Sequence, residues 1–134
     1  MISDLFESIQ DHLAMLDLAL ASSQKIVSFA RTEELDNVSS ETDNRERLVN
    51  VIGTIQQSIE DQINQLNAAA LKSEDILILK SWFQDLSTWS EKMIELDKET
   101  VEILSQQKEN TTKEIAHIFK NKEMFKGYNH SSKK

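Results

Sequence analysis

Residues 4–31 read DLFESIQDHLAMLDLALASSQKIVSFAR, and the large apolar side chains of this stretch recur every three or four positions. Ile2, Phe6, Ile9, Leu13, Leu16 and Leu20 form the stripe, which resumes at Val27 after the polar Ser22 and Ser23. That period puts the side chains on one helical face, and Leu5, Met15, Leu18, Ile26 and Phe29 widen the face enough for two neighbours. Asp4 and Glu7 have capping-box spacing at its start. The same pattern runs along most of the 134 residues, which include no proline and two glycines. The expected fold is all-α: an antiparallel bundle of three long helices with a C-terminal helical extension or a short fourth helix.

A bend is expected near Arg31–Glu34, with Thr32 as N-cap and Glu33 and Glu34 favouring the positive end of the next helix dipole. The second stripe is Leu35, Val38, Leu48, Ile52, Ile55, Ile59, Ile63, Leu66 and Ala70. Inside it, SSETDNRER (residues 39–47) has no apolar side chain. It is a loop or a helical section projecting past the core, and the register kept by Thr42 and Arg45 favours helix. Gly53 costs roughly 1 kcal/mol relative to Ala in a helix, so a close helix contact is expected there rather than a hinge.

Ser73 is placed to cap the third helix, with Glu74 and Asp75 in its first turn. Its stripe is Ile76, Leu79, Phe83, Leu86, Met93, Leu96 and Leu104, flanked by Ile78, Trp82, Trp89, Ile94, Val101 and Ile103. Trp82 and Trp89, seven residues apart, share a face; they either pack in the core or mark a groove. Residues 105–112 are wholly polar, yet Gln107, Thr111, Ile115, Ile118, Lys122 and Phe125 hold the register from Leu104. Either the third helix continues, or Thr111 and Glu114 cap a separate amphipathic helix that ends near Gly127. A single domain over 1–128 is expected, with 115–128 as its candidate binding segment and 129–134 as a flexible tail.

Composition removes several functions. With no cysteine, disulfides, thiolate catalysis and Cys-ligated zinc are excluded. The acidic start does not suit a signal peptide, and no apolar run is expected to reach the roughly 20 residues of a membrane span, so a cytoplasmic location without membrane insertion is expected. Charge is divided: residues 1–107 carry 8 Lys and Arg against 20 Asp and Glu, net −12, and residues 108–134 carry 7 against 3, net +4. The acidic body disfavours nucleic acid and anionic lipid; the basic end is the part suited to an acidic surface.

Catalytic constellations are missing. Glu114 and His117 make one Glu-x-x-His, but a carboxylate-bridged di-metal site needs a second pair and further inward glutamates. His12 lacks the basic and glycine neighbours expected around a phosphorylated histidine and is read as solvated beside the core stripe. There is no phosphate loop and no nucleophile with its base, so no enzyme, metal or cofactor is expected. What remains is a binding surface: Ile115, Ile118, Phe119, Phe125 and Tyr128, in a segment that joins an apolar stripe to positive charge. It is read either as a helix packed into the bundle or as one released to a partner.

The order of features resembles the flagellar type III export chaperones of the FliT and FlgN type. The matching residues are Leu35 and Val38, then Arg45, Glu46, Leu48, Val49 and Ile52, and at the end Phe125, Gly127 and Tyr128, within a likeness covering roughly residues 5–128. Arg31, Thr32 and Glu33 stand where such proteins often have Gly-Asp or Gly-Asn. The resemblance implies a chaperone that binds the helical terminal segment of a late flagellar export substrate, a hook-associated or filament-cap protein. It implies a client groove lined by Ile115, Ile118 and Phe119, and docking of Tyr128 and Phe125 on an export gate component. The alternative is a structural or signalling coiled-coil module acting by self-association, as in a homodimer.

Overall fold

The computed structural model describes residues 2–126, and their side chains through residue 120. The described residues are all-helical: α1 (Ile2–Arg31), α2 (Leu35–Asn64), a single 3₁₀ turn (Ala68–Ala70) and α3 (Ser73–Lys126). The chain divides into two compact units, Met1–Thr100 and Val101–Lys134. α3 contributes its first half to one unit and its second half to the other.

In the first unit the packed positions follow alternating steps of three and four. On α1 they are Leu5, Ile9, His12, Leu16, Ala19, Ser23, Ile26 and Ala30, all buried. On α2 the partly or fully buried series is Val38, Glu41, Arg45, Leu48, Ile52, Ile55, Ile59 and Gln62, and on α3 it is Leu79, Trp82, Leu86, Trp89, Met93 and Leu96. A mean step of 3.5 keeps each seam facing its neighbours, as in coiled coils. Leu5 and Ile9 of α1, Ile59 of α2 and Trp82 of α3 form one apolar cluster; Leu16, Ala19, Ile52 and Met93 form a second. Each large side chain buried this way contributes roughly 1.5–3 kcal/mol.

The inner face is turned slightly from the stripe expected from residue size. Phe83 and Ile76 are exposed while Trp82 is buried, and Leu18 is 54% exposed while Ala19 has no accessible surface. Small residues at 19, 23 and 30 allow close helix approach, which hydropathy alone does not reward. By length and composition α1 also suffices to cross a membrane, its best 18-residue window reaching a mean hydropathy of 1.2, contrary to the expectation that no run does so. About 39% of that window is buried inside the protein, on a face that packs against α2 and α3 and includes the polar His12, Ser22 and Ser23.

Residues 39–47 are helical, but they do not project past their neighbours. Glu41 accepts a hydrogen bond from Ser22 Oγ of α1 at 2.6 Å. Arg45 donates from Nε to Ser23 Oγ at 2.8 Å and from Nη2 to both carboxylate oxygens of Asp97 on α3, at 3.0 and 2.8 Å. Ser23 in turn donates to Met93 Sδ at 3.3 Å. The stretch without apolar side chains is therefore a polar layer of the packed unit, its donors and acceptors met across three helices.

The turns also differ from the capping expected. α1 is already formed at Ile2, so Asp4 and Glu7 lie inside it. At its other end Glu33 N–H bonds Ala30 C=O (3.1 Å) and Glu34 N–H bonds Phe29 C=O (2.9 Å), with Glu33 at φ 58°. These two bonds and the left-handed residue define a Schellman C-cap. Thr32 Oγ1 serves this same end, donating toward the Ser28 and Phe29 carbonyls, and Glu34, which occupies the N-cap of α2, makes no side-chain cap bond. α2 stops at Asn64, short of Leu66 and Ala70, where Asn67 Oδ1 accepts from Ala69 N–H (3.1 Å) and diverts the backbone into the 3₁₀ turn. Asp75 accepts the Lys72 N–H at 3.1 Å, so the cap of α3 centres one residue before Ser73. A Cβ at Gly53 would meet nothing within 4 Å, so no close helix contact explains that glycine.

Candidate functional site

In the second unit α3 runs on without interruption, so residues 105–112 are neither a loop nor a break before a fourth helix. Polar side chains hold this stretch helical. Gln106 Nε2 donates to Asn110 Oδ1 (3.1 Å), Thr112 Oγ1 to the Lys108 carbonyl (2.9 Å), and Lys113 pairs with Glu109 at 3.3 Å. The two side-chain pairs, Gln106–Asn110 and Glu109–Lys113, contribute a few tenths of a kcal/mol each at i and i+4. Thr111 and Glu114 lie inside the helix rather than at a new start.

Beyond this stretch three of the expected binding residues lie together. Ile115, Ile118 and Phe119 are 49%, 57% and 62% exposed, and their spacing of three and four puts them on neighbouring turns of one face. Every side chain from 108 to 120 is exposed. Leaving apolar groups in water forgoes the burial that usually stabilises a helix, and clustered exposure of this kind marks contact surfaces. Phe125 lies on the α3 backbone with its side chain outside the described ones, and Tyr128 lies outside the described residues altogether. Glu114 and His117 sit on the same exposed section, and no group of three metal-ligating side chains occurs among the described residues.

The tryptophans take the packing role. Trp82 is 1% exposed, and Trp89 is partly buried with its indole N–H donating to the Leu16 carbonyl at 2.9 Å. Searches of protein families, of curated proteins and of solved structures find no match to this chain.

The feature sequence reasoning missed is His12. It is fully buried, not solvated: the Trp82 indole N–H donates to its Nδ1 at 3.0 Å, and the two rings meet edge-on with centroids 5.5 Å apart. An indole nitrogen only donates, so Nδ1 must carry its lone pair and the proton of the neutral ring sits on Nε2. Nε2 makes no well-formed hydrogen bond, and its backbone acceptor is the Ile52 carbonyl, which favours the protonated ring. Burial lowers the His12 pKa from its ordinary 6.5, with the hydrogen-bonding influence of the Ile52 carbonyl second and in the opposite sense. The signal was available: His12 stands at the three-four step between Ile9 and Leu16. Glu41 is also shifted down, first by the Ser22 hydrogen bond and next by that of Asn44.

Proposed function

We propose that this chain is a non-enzymatic, cytoplasmic export chaperone that binds the helical terminal segment of a flagellar hook-associated or filament-cap protein and delivers it to an export gate component. The observation that carries the reading is the exposed apolar face of Ile115, Ile118 and Phe119 on a helix with no buried side chain between 108 and 120. A helical client segment would lay its own apolar positions along this face, with anchors at i, i+3 and i+4. The net +4 of residues 108–134 favours an acidic client surface, and the net −12 of residues 1–107 disfavours nucleic acid.

The body that presents this segment is read as an antiparallel bundle of three long helices, the third bearing the extension. Supporting this, Ser8 pairs with Gln62 and Ser22 with Glu41, so residue numbers fall along α2 as they rise along α1. Numbers rise together on α1 and α3, from His12–Trp82 to Arg31–Glu99.

Calorimetric titration of the full chain with hook-associated and filament-cap proteins tests the proposal. Saturable binding to one of them is expected, and absence of binding to all of them refutes it. Gate docking through Tyr128 predicts that Tyr128→Ala weakens gate binding while leaving client binding unchanged.

A further inference from the structure

Most buried groups in the first unit are apolar or fully paired; His12 is neither. Its imidazole joins α1 to α3 through one hydrogen bond that exists only when Nδ1 is unprotonated, and its other nitrogen is buried with the Ile52 carbonyl near it but no well-formed hydrogen bond. We propose that the His12–Trp82 pair is a proton-operated latch between α1 and α3: a proton on Nδ1 removes the acceptor, turns N–H against N–H, and releases the indole from its buried position.

The geometry makes the response one-directional. Protonation leaves the ring with two donors: Nδ1–H is turned against the Trp82 indole N–H, and Nε2–H has only the Ile52 carbonyl, with which it makes no well-formed hydrogen bond. A buried imidazolium without a counter-charge is costly, so proton uptake is relieved by opening, which brings the ring to water. No charged group compensates. Near His12 on α1, Asp11 is exposed; on α2, Glu60 beside the buried Ile59 is partly exposed; on α3, Lys80 and Asp85 are exposed. None of them acts on the imidazole, whose influences are burial first and the Ile52 carbonyl second.

The sign follows by linkage. The folded-state pKa is lowered, so above 6.5 the latch is closed and ring protonation adds nothing to opening; as pH falls below 6.5 the opened state binds the proton that the closed state refuses. Each pH unit below that point raises opening by up to about tenfold, until the closed ring itself titrates. Glu41, shifted down from 4.5, changes charge below this window.

Trp89 supplies an internal control, because its indole N–H donates to the Leu16 backbone carbonyl, which does not titrate. Indole N–H exchange of both tryptophans, followed by NMR in the full chain from pH 7.5 to 5, tests the latch, with the His12 ring signals read alongside. Expected is a loss of Trp82 protection relative to Trp89 that begins below pH 6.5, together with a His12 pKa under 6.5. His12→Gln keeps a side-chain oxygen that can accept the indole N–H and does not titrate; in that variant the pH-dependent difference disappears. The proposal is overturned if Trp82 and Trp89 lose protection in parallel, if His12 titrates at or above 6.5, or if the difference persists in a folded His12→Gln chain. The wild-type exchange ratio decides the matter if that variant does not fold. None of these outcomes depends on the identity of a client.

Discussion

Replacing Glu33 by glycine should stabilise this protein. Glu33 closes the Schellman cap of α1 at φ 58°, where an L side chain costs roughly 1–2 kcal/mol and glycine costs nothing sterically. Against that gain stands the freedom glycine adds to the unfolded chain, about 0.4–1 kcal/mol. The cap bonds to the Ala30 and Phe29 carbonyls involve backbone atoms and survive the change. Removing a negative charge beside the negative end of the α1 dipole adds a few tenths, partly cancelled at the start of α2, which the same charge favours. The net expectation is a gain of about 0.5–1 kcal/mol, read as a rise in Tm of about 2–5 °C by circular dichroism. Glu33→Ala separates backbone from charge, because alanine keeps the strain and loses only the carboxylate. If alanine stabilises as much as glycine, or if glycine lowers Tm, the strain argument is wrong.

Three further changes test the packing. Gly53→Ala should raise stability by up to about 1 kcal/mol in urea melts, since a Cβ there meets open space and alanine is the better helix former. Ser23→Leu should destabilise by about 1–3 kcal/mol in the same assay, because it overfills a position with 2% exposure and removes the acceptor of Arg45 Nε. Lowering pH from 7.5 to 5 should reduce urea stability more in the wild type than in His12→Gln, since only the wild type carries the buried ring whose lowered pKa makes the unfolded state take up the proton; equal losses would exclude a His12 contribution.

The helical class was legible because the three-four period continues through residues whose chemistry changes. Register alone favoured helix for residues 39–47, where the structure agrees on helix but packs it against α1 and α3; for residues 105–112 it left a continuous helix and a newly capped one open, and the structure has the continuous one. What register did not supply was the filling of the seam. His12, Ala19, Ser22 and Ser23 are buried, yet none is strongly apolar, so a stripe drawn through the largest hydrophobics passes beside them. The polar layer was hidden for the same reason: Ser22–Ser23 and Glu41–Arg45 look like two surface stretches until α1 and α2 are paired. Local caps were misplaced by a residue or more because carboxylates, amides and hydroxyls three residues apart compete for the same backbone donors. The apolar face of Ile115, Ile118 and Phe119 was legible from their spacing, and the structure leaves all three exposed.

The central claim is that this face serves binding and not the stability of the fold. The most direct measurement pairs a melt with a titration on the Ile115→Glu, Phe119→Glu double variant. With both side chains about half or more exposed, Tm should stay within about 1 °C of the parent, while affinity for the flagellar client should fall at least about tenfold. A marked loss of Tm with client affinity unchanged would contradict the account.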